Sequence, residues 1–188
     1  MKKKIIIALA AVALAVSAQA ASFNWASSGT AAAKTMYAAD GATTLYASAG
    51  AATLYLFDAA TLSQADLLAE LRNGGSIDGF TSVATQSLTS DSRLSGKVFN
   101  YGSADVSYDF YMAVVDGDNV FISDIKSAYG QASDTANVSF SGLKTATQKN
   151  NADASFSTGG WYAAVPEPTS GLLMLVGLAG LALRRRRA

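Results

Sequence analysis

Cysteine and histidine are both missing from this chain of 188 residues. Without cysteine there is no disulfide, no thiolate zinc site and no cysteine nucleophile. Without histidine the commonest general base and metal ligand is gone as well. Its serines therefore lack the usual activating base, and no G-x-S-x-G elbow is present. The one glycine pair that resembles a phosphate loop, "NGGS" at 73–76, follows a helical pattern instead of opening a helix. Proline occurs only at 166 and 168, and glutamate only at 70 and 167. The expectation is a protein with no catalytic residue, no cofactor and no metal.

The charges that are present are unevenly placed. Lys2 to Lys4 and Arg184 to Arg187 hold seven of the fourteen basic residues at the two ends. Between Ala21 and Val165 seven Lys plus Arg face thirteen Asp plus Glu, a net of −6. A body of that sign repels nucleic acid, whose phosphates require Lys and Arg, and repels other polyanions.

The basic ends belong to handling segments. Residues 1–20, "MKKKIIIALAAVALAVSAQA", read as a secretory signal: a positive start, an apolar run from Ile5 to Val16, and small residues at Ala18 and Ala20. Cleavage by signal peptidase after Sec export is expected before Ala21. At the other end, residues 165–188 have three parts. Pro166 and Pro168 bias the chain around Glu167 to an extended form that a protease cleft accepts. Gly171 to Leu183 follows without a charge, about 20 Å of helix. A hydrocarbon core of about 30 Å is spanned only with help from Thr169, Ser170 and snorkelling arginines. Arg184, Arg185, Arg186 and Arg187 form the cytoplasmic stop of this short transmembrane helix.

Pro166-Glu167-Pro168, the Gly171–Leu183 run and Arg184–Arg187, in that order, resemble the PEP-CTERM sorting signal of Gram-negative bacteria. The resemblance covers the tail alone. It implies a substrate of exosortase, a membrane-embedded peptidase, with Glu167 as a recognition residue. It also implies transient anchoring in the inner membrane, then delivery to the cell surface or matrix, often alongside exopolysaccharide and biofilm production.

The body, residues 21–164, is rich in Ala, Ser, Thr and Gly with aromatics spaced through it. In "TTLYASAGAATLYLFD", Thr43–Ser48 and Ala52–Asp58 read as two strands around a turn at Gly50. "SYDFYMAVVDGDNVFISD" reads as a second hairpin, strands 108–115 and 120–123 joined by Asp116 to Asn119. Its alternation puts Phe110, Met112 and Val114 on one face and Asp109, Tyr111 and Ala113 on the other. Further strands are predicted at 22–26, 34–38, 97–101, 137–140 and 161–164, and a loose polar loop at 141–160. One helix is predicted over 63–73. Ser63 is its N-cap and Asp66 the acidic partner, Leu62 and Leu67 form a staple, and Gly74 ends it. The expected fold is mainly β, a sandwich-like pair of antiparallel sheets with that helix packed on them.

Candidate chemistry is sparse. Asp116, Asp118 and Asn119 offer oxygen ligands at the spacing of a calcium loop, but a twelfth position counted from Asp116 is Ser127 where a bidentate Glu is wanted. The same residues suit a turn. Asp105 with Asp109, or Asp116 with Asp118, are the close carboxylate pairs a glycoside hydrolase would need. Trp25, Tyr37, Tyr46, Tyr55, Tyr108, Tyr111, Tyr129, Trp161 and Tyr162 suffice for a sugar-stacking face and equally for a β-sheet core. Thr145-Ala146-Thr147 is the single Thr-x-Thr that an ice-binding face would use. The leading expectation is a non-enzymatic exported surface or matrix protein associated with extracellular polysaccharide. A carbohydrate-binding adhesion module is the alternative, and an ice-binding protein or an extracellular hydrolase comes behind it.

Overall fold

The computed structural model describes residues 19–140 and 156–164. Its strands are β1 (Ala21–Ser27), β2 (Thr53–Asp58), β3 (Ala84–Ser87), β4 (Lys97–Tyr101) and β5 (Ser107–Asp116). They continue with β6 (Asn119–Ile122), β7 (Lys126–Tyr129), β8 (Thr135–Phe140) and β9 (Gly160–Ala163). Between them lie two short helices, α1 (Ala31–Lys34) and α2 (Leu45–Ala49), the longer α3 (Gln64–Arg72), and a 3-10 turn at Ile77–Gly79.

The strands form two sheets, one ordered β4-β1-β8 and one ordered β3-β2-β5-β6-β9, with β7 added to β5. The long strand β5 organises the larger sheet. Residues Phe110 to Ala113 pair with β2, while along the opposite edge Ser107 to Phe110 pair with β7 and Ala113 to Asp116 with β6. Ser123 joins the two halves of that edge: its Oγ accepts from the Met112 amide at 2.9 Å and donates to the Asp124 carbonyl at 2.9 Å. The β5–β6 hairpin closes through Gly117 and Asp118, and the φ of +56° at Gly117 suits the first central position of a type II′ turn.

The predicted alternation of β5 holds, with one addition: both faces are buried. Phe110, Met112 and Val114 pack with Phe23 and Trp25 of β1, Val138 and Phe140 of β8 and Trp161 of β9 in the core between the sheets. Tyr111 and Ala113 pack with Phe57 and with Leu67, Leu68 and Leu71 of α3 in a second core on the far side. The larger sheet is therefore the middle layer of three, and its strands read as mixed apolar runs because each face has a partner. The N-cap of α3 forms as predicted, with Ser63 Oγ accepting from the Asp66 amide at 3.1 Å and donating to its carboxylate at 2.6 Å.

Three expectations are corrected. The sheets are not purely antiparallel: β8 runs parallel to β1, Trp25 opposite Val138, while β4 is antiparallel to β1. All of the larger sheet except β9 lies between β1 and β8 in sequence, so no hairpin fixes their direction. The hairpin at 43–58 does not form. Its second half is β2, but its first half becomes α2, with Gly50 as the helix cap at φ +65°. Asp40 explains this, since its carboxylate accepts from the Ala42 and Thr43 amides and from the Thr43 hydroxyl, turning the chain into the helix. The strand predicted at 34–38 is reduced to one bridge, Tyr37 to Thr44, after α1. Strands β3 and β7 were not predicted. No helix among the described residues is long and apolar enough to cross a membrane, and the tail helix predicted at 171–183 lies outside the described residues.

Candidate functional site

Strand β2 builds one wall of a groove. Its alternation sends Tyr55 and Phe57 to the α3 side, where their rings stack at 6.2 Å, and Phe57 stacks in turn on Tyr111 opposite it at 5.5 Å. Phe57 and Tyr111 are fully buried. Tyr55 is the half-buried outer end of the row.

The chain leaving α3 supplies the facing wall. Gly74 takes a φ of +87°, and a Cβ on Gly75 would stand 2.8 Å from the Glu70 carbonyl oxygen, so this tight return requires the glycine pair. The return leads into the 3-10 turn and sets Asp78 beside Tyr55, whose hydroxyl donates to the Asp78 carboxylate. That hydrogen bond, with burial and the Asp78 charge behind it, pushes the Tyr55 hydroxyl up to about 12. The third side comes from α2 and the end of β5, where Ser48 Oγ donates to Asp116 Oδ2 at 2.9 Å.

Together these elements enclose an open groove of about 810 Å³, within the roughly 300–1,000 Å³ range of small-ligand clefts. Leu71, Ile77, Val115 and Ala164 give it an apolar floor, and Ser48, Tyr55, Asp78 and Asp116 give it polar groups. No lysine or arginine is among the described residues lining it. Chemically, the groove offers one aromatic face, two carboxylates that accept hydrogen bonds, and hydroxyls that can do both.

Of the residues singled out from sequence, Asp116 and Tyr55 are brought into this groove, and Asp118 is not. Asp118 contributes its carbonyl, which accepts from the Ala164 amide at 2.8 Å. Asp109 accepts from Ser127 Oγ across the β5–β7 pair at 2.5 Å, and Asp105 sits in a left-handed turn at φ +61°. Among the described residues no three metal-ligating side chains come together. Of the nine aromatics singled out, Trp25, Tyr111, Trp161 and Tyr162 are buried in the cores, Tyr37, Tyr55 and Tyr108 are half-buried, and Tyr46 and Tyr129 are exposed.

A nucleophile motif that sequence reading passed over is also accounted for. Ser123-Asp124-Ile125-Lys126 has S-x-x-K spacing, but it spans a strand break and its hydroxyl is spent on the Met112 amide and the Asp124 carbonyl. Asp78 was missed as well, and the signal available was the Gly74-Gly75 pair that sets its position. Ser141–Lys144, with the same spacing, and Thr145-Ala146-Thr147 lie outside the described residues.

At the ends, Ala20 is exposed and Ala21 is buried as the first residue of β1. The signal run up to Ala18, the motif Pro166, Glu167 and Pro168, and the arginines 184–187 lie outside the described residues. Comparison with known proteins bears on the tail: residues 164–187 match the PEP-CTERM protein-sorting motif. No curated protein and no solved structure matches the chain.

Proposed function

We propose, for a chain whose PEP-CTERM tail marks it for export and exosortase sorting, that its sandwich-like body is a non-enzymatic component of the extracellular surface or matrix, held there by association with exopolysaccharide. Sec and signal peptidase deliver it, the inner membrane holds the precursor by the tail, and exosortase releases it outward. The observation that carries the reading is the tail itself, ordered motif, apolar run and arginines behind a signal-like start. The net of −6 over residues 21–165 fits a solvated extracellular body and not a nucleic-acid binder. The carboxylates of the groove are engaged by Tyr55 and Ser48 in the manner of a binding site.

A second reading, a carbohydrate-binding adhesion module, gains from the Tyr55 groove and loses from the burial of the large aromatics, which removes a broad stacking face. Cell fractionation tests the main proposal. The protein is expected in the extracellular polysaccharide layer of an exosortase-bearing host and released when that polymer is depolymerised. Retention in the inner membrane, or free diffusion into the medium while the polymer is intact, would overturn it.

A further inference from the structure

The groove beside Tyr55 has a chemistry narrower than extracellular polysaccharide at large. We infer that it is a binding site for a neutral glycan segment, with the Tyr55 ring under a sugar face and Asp78 and Asp116 receiving sugar hydroxyls. This rests on the polysaccharide association proposed above and adds the site and the charge class of the polymer.

Three features point the same way. First, Tyr55 is the half-buried outer end of a buried ring stack, so it is held rigid at no further ordering cost, and its ring lines the groove as an aromatic surface on which the C–H side of a sugar packs. Second, the polar groups of the groove are acceptors before they are donors. Asp116 accepts a side-chain bond from Ser48, and a carboxylate has room for several. Sugar hydroxyls are the matching donors, and O–H to carboxylate bonds are about twice as strong as neutral ones. Third, no lysine or arginine is among the described residues lining the groove, while two carboxylates are. A uronate, sulfated or phosphorylated polymer would meet like charge there, which disfavours docking. The open shape lets a polymer run through instead of demanding a chain end.

The test uses the full chain purified in detergent. Its binding is titrated against dextran, galactan and xyloglucan as neutral probes, polygalacturonate as the acidic one, and the host's own exopolysaccharide. At least one neutral probe is expected to bind saturably and to tolerate salt, with polygalacturonate not binding. Tyr55→Leu and Asp116→Asn should each weaken that binding about tenfold or more, while Tyr129→Ser, at an exposed tyrosine outside the groove, leaves it unchanged. Circular dichroism of each variant separates loss of binding from loss of fold, and Asp116→Asn, an isosteric change at a half-buried turn position, stands in should Tyr55→Leu unfold. Neutral binding unaffected by a folded groove variant would overturn the site while leaving polysaccharide association standing. Tighter binding of polygalacturonate would overturn the charge class. No binding of any polymer by the wild-type chain would overturn the association itself and this site with it, and release of reducing ends would replace binding by hydrolysis.

Discussion

Among the described residues three tyrosine hydroxyls are held in the protonated form, Tyr55 through a carboxylate partner and burial, Tyr101 through burial and a carboxylate partner, Tyr111 through burial without a hydrogen-bond partner. Tyr55 is pushed up to about 12 by donating to Asp78. Tyr111 is raised by burial, with the Asp66 charge adding to it. Tyr101 is raised by burial and by its bond to Asp58 at 2.8 Å. A folded value above the unfolded 10 means that the protonated form is favoured in the native state. The stabilisation is then complete below about pH 10 and drains away as pH climbs through the folded value. Tyr55→Phe should cost about 1 kcal/mol at pH 7, the worth of one hydrogen bond, and flatten the decline in stability between pH 10 and 12. Urea unfolding across that range measures both. A variant with the wild-type slope would mean that the Tyr55–Asp78 bond is absent in solution. The pairing was invisible in the sequence: Tyr55 stood out as one aromatic among nine and Asp78 as one acid among thirteen, and only the Gly74-Gly75 return brings them together.

At the scale of elements, what the sequence disclosed was whatever its own local chemistry determines. The α3 cap, its leucine face and its glycine stop all come from neighbours within four residues, and all are present. The strands β1 and β5 were legible because their alternating apolar residues meet a buried face, β4 because Phe99 and Tyr101 alternate towards the core, and β9 because Trp161 and Tyr162 each enter a core. Strands β3 and β7, "ATQS" and "KSAY", carry little propensity and are strands because β2 and β5 offer them a free edge. Conversely "TTLYAS" has β propensity but yields to the turn that Asp40 imposes, whose carboxylate is held below its usual range chiefly by the Thr43 hydroxyl. The α3 cap gives a prediction at this scale. Ser63→Ala removes the acceptor for the Asp66 amide and should cost about 1 kcal/mol, whereas Ser63→Gly should cost only a few tenths because water reaches the freed amide. Equal losses in thermal unfolding would show that Ser63 acts through its packing and not as a cap.

At the scale of the molecule, the folded body abuts both expected processing sites. Ala21, the expected new N-terminus, is fully buried where it opens β1 opposite Tyr101, and β1 lies between β4 and β8 in the middle of its sheet. A peptidase needs its substrate extended and exposed on both sides of the cut, so the cleavage expected before Ala21 requires that β1 has not yet paired. The far end is as close. Trp161 and Tyr162 of β9 are buried in the two cores, the Ala164 amide is bonded to the Asp118 carbonyl, and the sorting motif begins two residues later. Of the two expected cuts, the first therefore belongs to the unfolded chain, and the second falls in sequence just past β9. Glu167→Gln tests the second without touching the first. Mass spectrometry of the exported wild type is expected to give a chain starting at Ala21 and lacking Arg184–Arg187. The variant should start at the same residue, melt at the same temperature and keep its arginines. If the variant is trimmed normally, Glu167 is not the recognition residue. If the wild type also keeps its arginines, the tail works as a plain membrane anchor, and the body stays at the inner membrane.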